Sequence, residues 1–192
     1  MVPEAEYRLV GRWQRSTPTC GWTPTTTRAR QDSEPVGERS TLIEFLRCYR
    51  LTVEMKCSGL DPEQLARRSV PPSTMSLLGL IRHMAEVERS WFRRIMAGQD
   101  APRLYRNDED RDGDWNGALP DRAVVDEAWR VWRDEVRFAD AFVADAADLD
   151  VEAVHAGHVH LRWVLVHVIE EYARHCGHAD LLRESIDGRV GQ

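Results

Sequence analysis

Four long segments of the chain repeat apolar residues with the period of an α-helix, and this pattern constrains the fold more than any other feature. The segments cover residues 38–58, 76–97, 121–147 and 161–187. Apolar side chains spaced at i, i+3, i+4 and i+7 form one face of each helix. Because such a face has to be buried against other elements, the pattern predicts an all-α fold, a four-helix bundle.

The segments between these helices complete the expected architecture. Asp61 and Pro62 provide an N-cap and a first helical position, so they predict a short connecting helix. Residues 99–120 form one long acidic connection, and long connections inside compact domains are often functional. Residues 1–36 are rich in Thr, Pro and Gly without a regular period, so we expect a flexible N-terminal extension before a single domain at 37–192.

Composition narrows the classes of function. The net charge of -6 gives no global basic field, which argues against sequence-independent binding to nucleic acid or to an anionic membrane. No stretch approaches the ~20 apolar residues that span a bilayer, and the beginning of the chain lacks the apolar core of a signal peptide. The four cysteines form no CxxC pair, so neither a zinc knuckle nor a disulfide framework is indicated. We therefore expect a cytoplasmic protein.

The last helix concentrates polar residues on one side. His167, Glu171, His175 and His178 fall within a sector of roughly 80° when each residue advances by about 100°. Residues four apart stand about one turn, ~6 Å, from each other and can converge on one ion. The spacing leaves two pairs open, His167 with Glu171 and Glu171 with His175.

A third ligand would have to come from another helix. His83 lies among the apolar positions of the second long helix, where a lone histidine is usually a hydrogen-bonded core residue. Together with either pair on the last helix it completes two histidines and one carboxylate, a set that leaves coordination positions open. The competing interpretation is a polar helix face with a purely structural role.

Two further clusters contain residue types that can bind metal. In the long connection, one run matches a calcium-binding EF-hand loop at the first, third, fifth, sixth and ninth positions, but Leu119 stands where a chelating glutamate belongs, so a solvated acidic loop is expected. The run comprises Asp108, Asp110, Asp112, Gly113, Asp114 and Asn116. His155, His158 and His160 precede the last helix in a connection without rigid geometry, so we expect loop histidines rather than ligands.

Two segments carry a resemblance to a known family. LLGLIRHMAEVERSWFRRIMAG and LRWVLVHVIEEYARHCGHADLLRE resemble the DinB superfamily of metal-binding four-helix bundles, and the likeness extends from about residue 38 to the end. In that superfamily one histidine of the second helix and two residues four apart on the fourth bind a divalent metal, commonly nickel or zinc. The resemblance implies that His83, Glu171 and His175 are the ligands, a set similar to that of mycothiol-dependent maleylpyruvate isomerase.

The chain departs from the superfamily pattern His-His-Arg-Gly-Gln at positions 176 and 178, among others. Cys176 stands in place of the arginine and His178 in place of the glutamine. Cys176 points about 100° away from the candidate ligand His175 on the helix, so we assign it no nucleophilic role. We expect His167, His178 and Glu86 to orient the ligands or to contact the substrate, since ligating histidines need hydrogen-bonding neighbours.

The resemblance also implies an activity. Several members use a low-molecular-weight thiol such as mycothiol, bacillithiol or glutathione, so the expected function is a metal-dependent thiol S-transferase or thiol-dependent isomerase. A small-molecule electrophile would be the second substrate, and a homodimer is expected. From its length and from Trp115, we expect the 99–120 connection to shape the pocket for the electrophile. The alternative is a non-catalytic, dimerising metal-binding protein with a role in stress or interaction.

Overall fold

A computed structural model describes residues 36–190 of the chain, so the N-terminal extension predicted at 1–36 lies almost entirely outside the described residues. Within them the chain forms six helices and no β-strand, which confirms the all-α class and a helical bundle. The helices are α1 (Glu38–Cys57), α2 (Pro62–Ala66), α3 (Leu77–Glu88, continued by a π-helix over Arg89–Met96), α4 (Gly113–Asn116), α5 (Arg122–Asp145) and α6 (Leu161–Asp187). None of these helices is both long enough and apolar enough to cross a bilayer.

Local capping sets where several helices begin. At α2 the Asp61 carboxylate accepts from the amide of Gln64 at 2.8 Å, and the Gln64 side chain accepts from the Asp61 amide at 3.1 Å. This reciprocal pair satisfies donors that the first turn of a helix leaves free. Ser76 caps α3 and Asp121 caps α5 more simply, each through one side-chain oxygen that accepts from a backbone amide. The predicted connecting helix is confirmed.

The last two turns of the second long helix differ from the prediction of one continuous α-helix. The amide of Ala97 donates to the carbonyl of Phe92 at 2.9 Å, five residues earlier, which is the hydrogen-bond pattern of a π-helix. The carbonyls of Ile95 and Met96 accept from amides of the connection between α5 and α6. That connection therefore satisfies acceptors that the helix end would otherwise leave unpaired.

The directions of the helices explain why one connection is long. Arg162 at the start of α6 pairs with Glu38 at the start of α1, and Arg183 near its end donates to the carbonyl of Lys56, so these two helices run parallel. The helices α3 and α5 are parallel as well. Arg82 lies 3.8 Å from Glu127 near the starts of both helices, and Arg93 pairs with Glu135 farther along both. Two consecutive parallel helices require a connection that returns along the bundle. Residues 97–121 provide this return.

The return path is fastened to successive turns of α3. Arg89 donates to the carbonyl of Pro102 at 3.0 Å, and Glu86 accepts from the amides of Leu104 and Tyr105 at 2.7 and 3.2 Å. One turn earlier, Arg82 donates to the carbonyls of Gly113 and Asp114 at 3.0 and 2.9 Å. The connection thus follows α3 backwards and brings α4 beside the first turns of that helix.

Charged and aromatic groups are hydrogen-bonded inside the bundle. Arg50 of α1 forms two 2.8 Å bonds to the carboxylate of Glu88 on α3, whose side chain is fully buried. The Tyr172 hydroxyl on α6 donates to the same carboxylate at 2.8 Å and accepts from the indole of Trp132 on α5 at 2.8 Å. This set of four side chains, the buried polar network, joins all four long helices.

Candidate metal centre

Three side chains converge from α3 and α6, two helices that pack antiparallel, since His83 meets His175 and the later Trp91 meets the earlier His167. His83 on α3 and Glu171 and His175 on α6 each offer one ligand atom, and these atoms lie within 4.8 Å of one another. Nε2 of His175 is 3.5 Å from a carboxylate oxygen of Glu171, as the i, i+4 spacing predicts. Among the described residues this is the only group of three or more such side chains with ligand atoms this close.

The chemistry of the donor set fits a divalent transition metal. Imidazole nitrogen and carboxylate oxygen are ordinary ligands of zinc and nickel, and three protein ligands leave positions open. Burial, reinforced by the neighbouring His83 and His178, lowers the pKa of His175 to about 3. The imidazole is therefore neutral at physiological pH, which is the form that binds metal.

His83 is held from its other side by a residue of the long connection. Its Nδ1 lies 2.8 Å from Oδ2 of Asp114 on α4, and the Asp114 side chain is fully buried. The indole of Trp115 stacks on the His83 ring at 5.2 Å between centroids, with 24° between the planes. Gly79 makes room for that indole, since a Cβ there would lie 2.6 Å from Cε3 of Trp115.

The acidic connection is therefore not simply a solvated loop. That expectation is wrong for Asp114, because its carboxylate is buried against a histidine instead of facing water. Among the described residues, the carboxylates of the EF-hand pattern form no group of close metal donors, and Asp110 accepts from the amide of Asp112 and from the side chain of Asn116. Asp114 has no helical periodicity to mark it, so only its membership of an acidic run in a long connection could have singled it out.

The two other α6 histidines flank the three donors. Nδ1 of His178 is 3.3 Å from Nδ1 of His175, and Nε2 of His167 is 3.7 Å from the carboxylate of Glu171. The His167 ring stacks on Trp163 at 5.0 Å and meets the edge of Trp91 at 4.7 Å. Both histidines thus touch a donor residue, and one of them belongs to an aromatic cluster open to solvent through the half-exposed Trp163.

Glu86 occupies a different place from the one its spacing to His83 suggested. Its carboxylate accepts from two amides of the long connection, and the acceptor beside His83 is Asp114. His155 and His160 each hydrogen-bond a backbone carbonyl, at 3.1 and 2.8 Å, in the connection before α6. Among the candidate ligands, the structure brings together His83, Glu171 and His175 but not the histidines of the connection before α6.

Among the described residues, no cysteine belongs to the group of close donors. The sulfur of Cys176 contacts the carbonyl of Tyr49 on α1 at 3.7 Å, on the side of α6 that packs in the bundle. Burial raises the pKa of Cys57 to about 12, so its thiol is protonated at physiological pH. Neither residue therefore contributes a sulfur to the candidate metal centre.

A comparison with protein families assigns the chain. The family model described as mycothiol-S-transferase matches residues 41–188, a range that begins in α1, includes every donor and ends just after α6. No curated protein matches the chain. Because the family model covers more than half of the sequence, and because this family is DinB-like as the sequence motifs indicated, the chain belongs to the mycothiol S-transferase family.

Proposed function

We propose that the protein is a divalent-metal-dependent thiol S-transferase that joins a low-molecular-weight thiol, mycothiol in the first place, to a small electrophile. The observation that carries the proposal is the convergence of His83, Glu171 and His175, with ligand atoms within 4.8 Å, inside a chain of the mycothiol S-transferase family. A thiol-dependent isomerisation would use the same site. The expected location is the cytoplasm, where thiols are kept reduced.

The three donors would hold zinc or nickel. A divalent ion in this site supplies Lewis acidity, which lowers the pKa of a coordinated thiol and keeps it as a nucleophilic thiolate. The protein then needs no cysteine of its own, in agreement with the buried positions of Cys57 and Cys176. His83 and His175 contribute neutral nitrogens, and Glu171 contributes the one negative charge of the set.

Aromatic side chains would shape the remaining space. Trp115 covers His83 from the long connection, while Trp91 and Trp163 pack around His167 one turn from Glu171. Apolar walls beside the three donors would limit access of water to the thiolate and offer surface to an apolar electrophile. We assign His167 and His178 to orientation of the donors or contact with substrate, since each touches one donor residue.

The first test measures metal. Protein purified without an affinity tag is loaded with zinc or nickel, desalted and analysed by elemental analysis as wild type, His83→Ala and His175→Ala. His158→Ala is the matched control, because His158 is an exposed histidine of the connection before α6. We expect about one metal per chain in wild type and control and a large loss in the other two variants. Equal, negligible metal in all four proteins would refute the proposal.

The second test measures turnover. Consumption of mycothiol, bacillithiol or glutathione is followed with chlorodinitrobenzene as a generic electrophile, for wild type and Glu171→Ala. We expect metal-dependent consumption of at least one thiol by the wild type and none by the variant. Stoichiometric metal without turnover for any thiol, in a protein that is dimeric in solution, would instead support the non-catalytic alternative.

A further inference from the structure

His83 differs from His175 in what its second ring nitrogen contacts. Nδ1 of His83 lies 2.8 Å from a buried carboxylate oxygen of Asp114, whereas Nδ1 of His175 lies 3.3 Å from another imidazole. An ionised carboxylate accepts hydrogen bonds and donates none, so a neutral His83 in this contact carries its proton on Nδ1. The lone pair of Nε2 is then free.

Asp114 is itself fixed by contacts that do not involve the histidine. Its backbone carbonyl accepts from Nε of Arg82 at 2.9 Å, and its second carboxylate oxygen accepts from the Trp115 amide at 3.1 Å. The Arg106 guanidinium lies 4.0 Å from the oxygen that faces His83. The backbone of Asp114 is therefore held by α3, and its carboxylate is held by the connection, independently of the imidazole.

We propose that Asp114 is a positioning residue that holds His83 in the tautomer and orientation that present Nε2 to the metal. The proposal deepens the proposed function and rests on it, since it assumes that His83 is a ligand. It also gives the 97–121 connection a role: the return path needed by the parallel helices delivers the carboxylate to the site. Ligand-orienting carboxylates of this kind are typically worth 10–100-fold in metal affinity.

The direct test reads the tautomer in the metal-free protein. Long-range proton–nitrogen correlation spectra at a pH where the imidazole is neutral distinguish a protonated Nδ1 from a protonated Nε2, and the His83→Gln spectrum assigns the signals. We expect a protonated Nδ1 in wild type and in Asp114→Asn, whose amide oxygen still accepts. In Asp114→Ala we expect a substantial shift toward the protonated Nε2 form, which predominates in an unconstrained imidazole.

The matched control is Asp110→Ala, a second aspartate of the connection. Its carboxylate binds the Asn116 side chain of α4 at 3.0 Å without touching His83, so its loss loosens the same region. We expect this variant to keep the wild-type tautomer. A protonated Nε2 in wild type, an unchanged tautomer in Asp114→Ala, or the same change in both alanine variants would overturn the proposal.

A metal titration separates this proposal from the function on which it rests. In a competition assay with a chromophoric zinc chelator, we expect Asp114→Ala to bind zinc about 10–100-fold more weakly than wild type and Asp114→Asn to fall between them. Asp110→Ala should stay within about twofold of wild type, as expected for a carboxylate with no ligand contact. Wild-type affinity in Asp114→Ala would overturn the positioning role. Failure of the wild type to bind any metal would refute the proposed function, while the tautomer measurement would still show whether Asp114 orients His83.

Discussion

The buried polar network offers a quantitative test of how the bundle is held together. Glu88 is fully buried and accepts from Arg50 twice and from Tyr172 once, all at 2.8 Å. Burial alone would lower the pKa of Arg50, but Glu88, Tyr172 and Asp140 together outweigh it and raise that pKa above its usual value. Substitution Glu88→Leu leaves the guanidinium buried with only Asp140, whose side chain is 63% exposed, as its anionic partner.

The expected cost follows from these contacts. Removing one partner of a buried ion pair typically costs 3–5 kcal/mol, and an unsatisfied hydroxyl adds about 1 kcal/mol. Because Asp140 still compensates part of the charge of Arg50, we expect a loss of about 4 kcal/mol for Glu88→Leu. Arg50→Met should cost a similar amount, since it leaves a carboxylate buried with only one donor.

The double variant should lose less stability than either single variant. Arg50→Met with Glu88→Leu removes both charges, so only the hydrogen of Tyr172 lacks an acceptor and the expected cost falls to about 1–2 kcal/mol. The exposed pair of Arg47 with Glu44 supplies the control, and Arg47→Met should change stability by less than about 1 kcal/mol.

Urea denaturation followed by circular dichroism at 222 nm, with the slope of the transition checked for each variant, measures these free energies. The reasoning is refuted if both single variants cost less than about 1 kcal/mol, or if the double variant loses the sum of the two.

Three further outcomes are expected. Elemental analysis should find less bound zinc in Glu171→Gln than in wild type. The control Glu170→Gln changes an exposed neighbour and should keep the wild-type zinc content, and equal zinc contents in the two variants would count against the ligand assignment. In Gly79→Ala the new Cβ meets an indole atom at 2.6 Å, so unfolding free energy should fall by about 1–3 kcal/mol. In Gly177→Ala the new Cβ meets nothing within 4 Å, so the free energy of unfolding should rise by about 0.5–1 kcal/mol. Urea titrations in which both glycine variants change the free energy of unfolding in the same direction would contradict the packing argument. Since burial raises the pKa of Cys57 to about 12, iodoacetamide at pH 8 should alkylate it only after unfolding, as mass spectrometry can establish; rapid alkylation of the native protein would disprove this.

The four long helices could be read from the sequence because their signal is local. Apolar spacing at three and four residues, Asp61 before Pro62, and Gly188 after the last helix are contained in short windows. The π-helical turns of Arg89–Met96 could not be read in this way, because the connection between α5 and α6 supplies the amides that satisfy the end of that helix. That connection lies more than fifty residues away in sequence.

The candidate metal centre, too, could be predicted from the sequence only in part. Spacing on α6 alone grouped His167, Glu171, His175 and His178, and it could not choose between the two i, i+4 pairs. The antiparallel packing of α3 against α6 places His83 with Glu171 and His175, and metal binding by this set stays a prediction. Glu86 shows the limit of spacing: its carboxylate lies near His83 in sequence but binds two amides of the connection.

The sequence by itself determined the helices, their apolar faces and the histidines and carboxylates that they carry, because hydrophobic periodicity and capping are properties of neighbouring residues. The tertiary structure decided which of those side chains meet. It alone showed that α3 and α5 run parallel, so that the connection returns along α3, where Asp114 is buried against His83. Such a contact joins residues 31 positions apart and depends on the direction of whole helices, which no local pattern encodes.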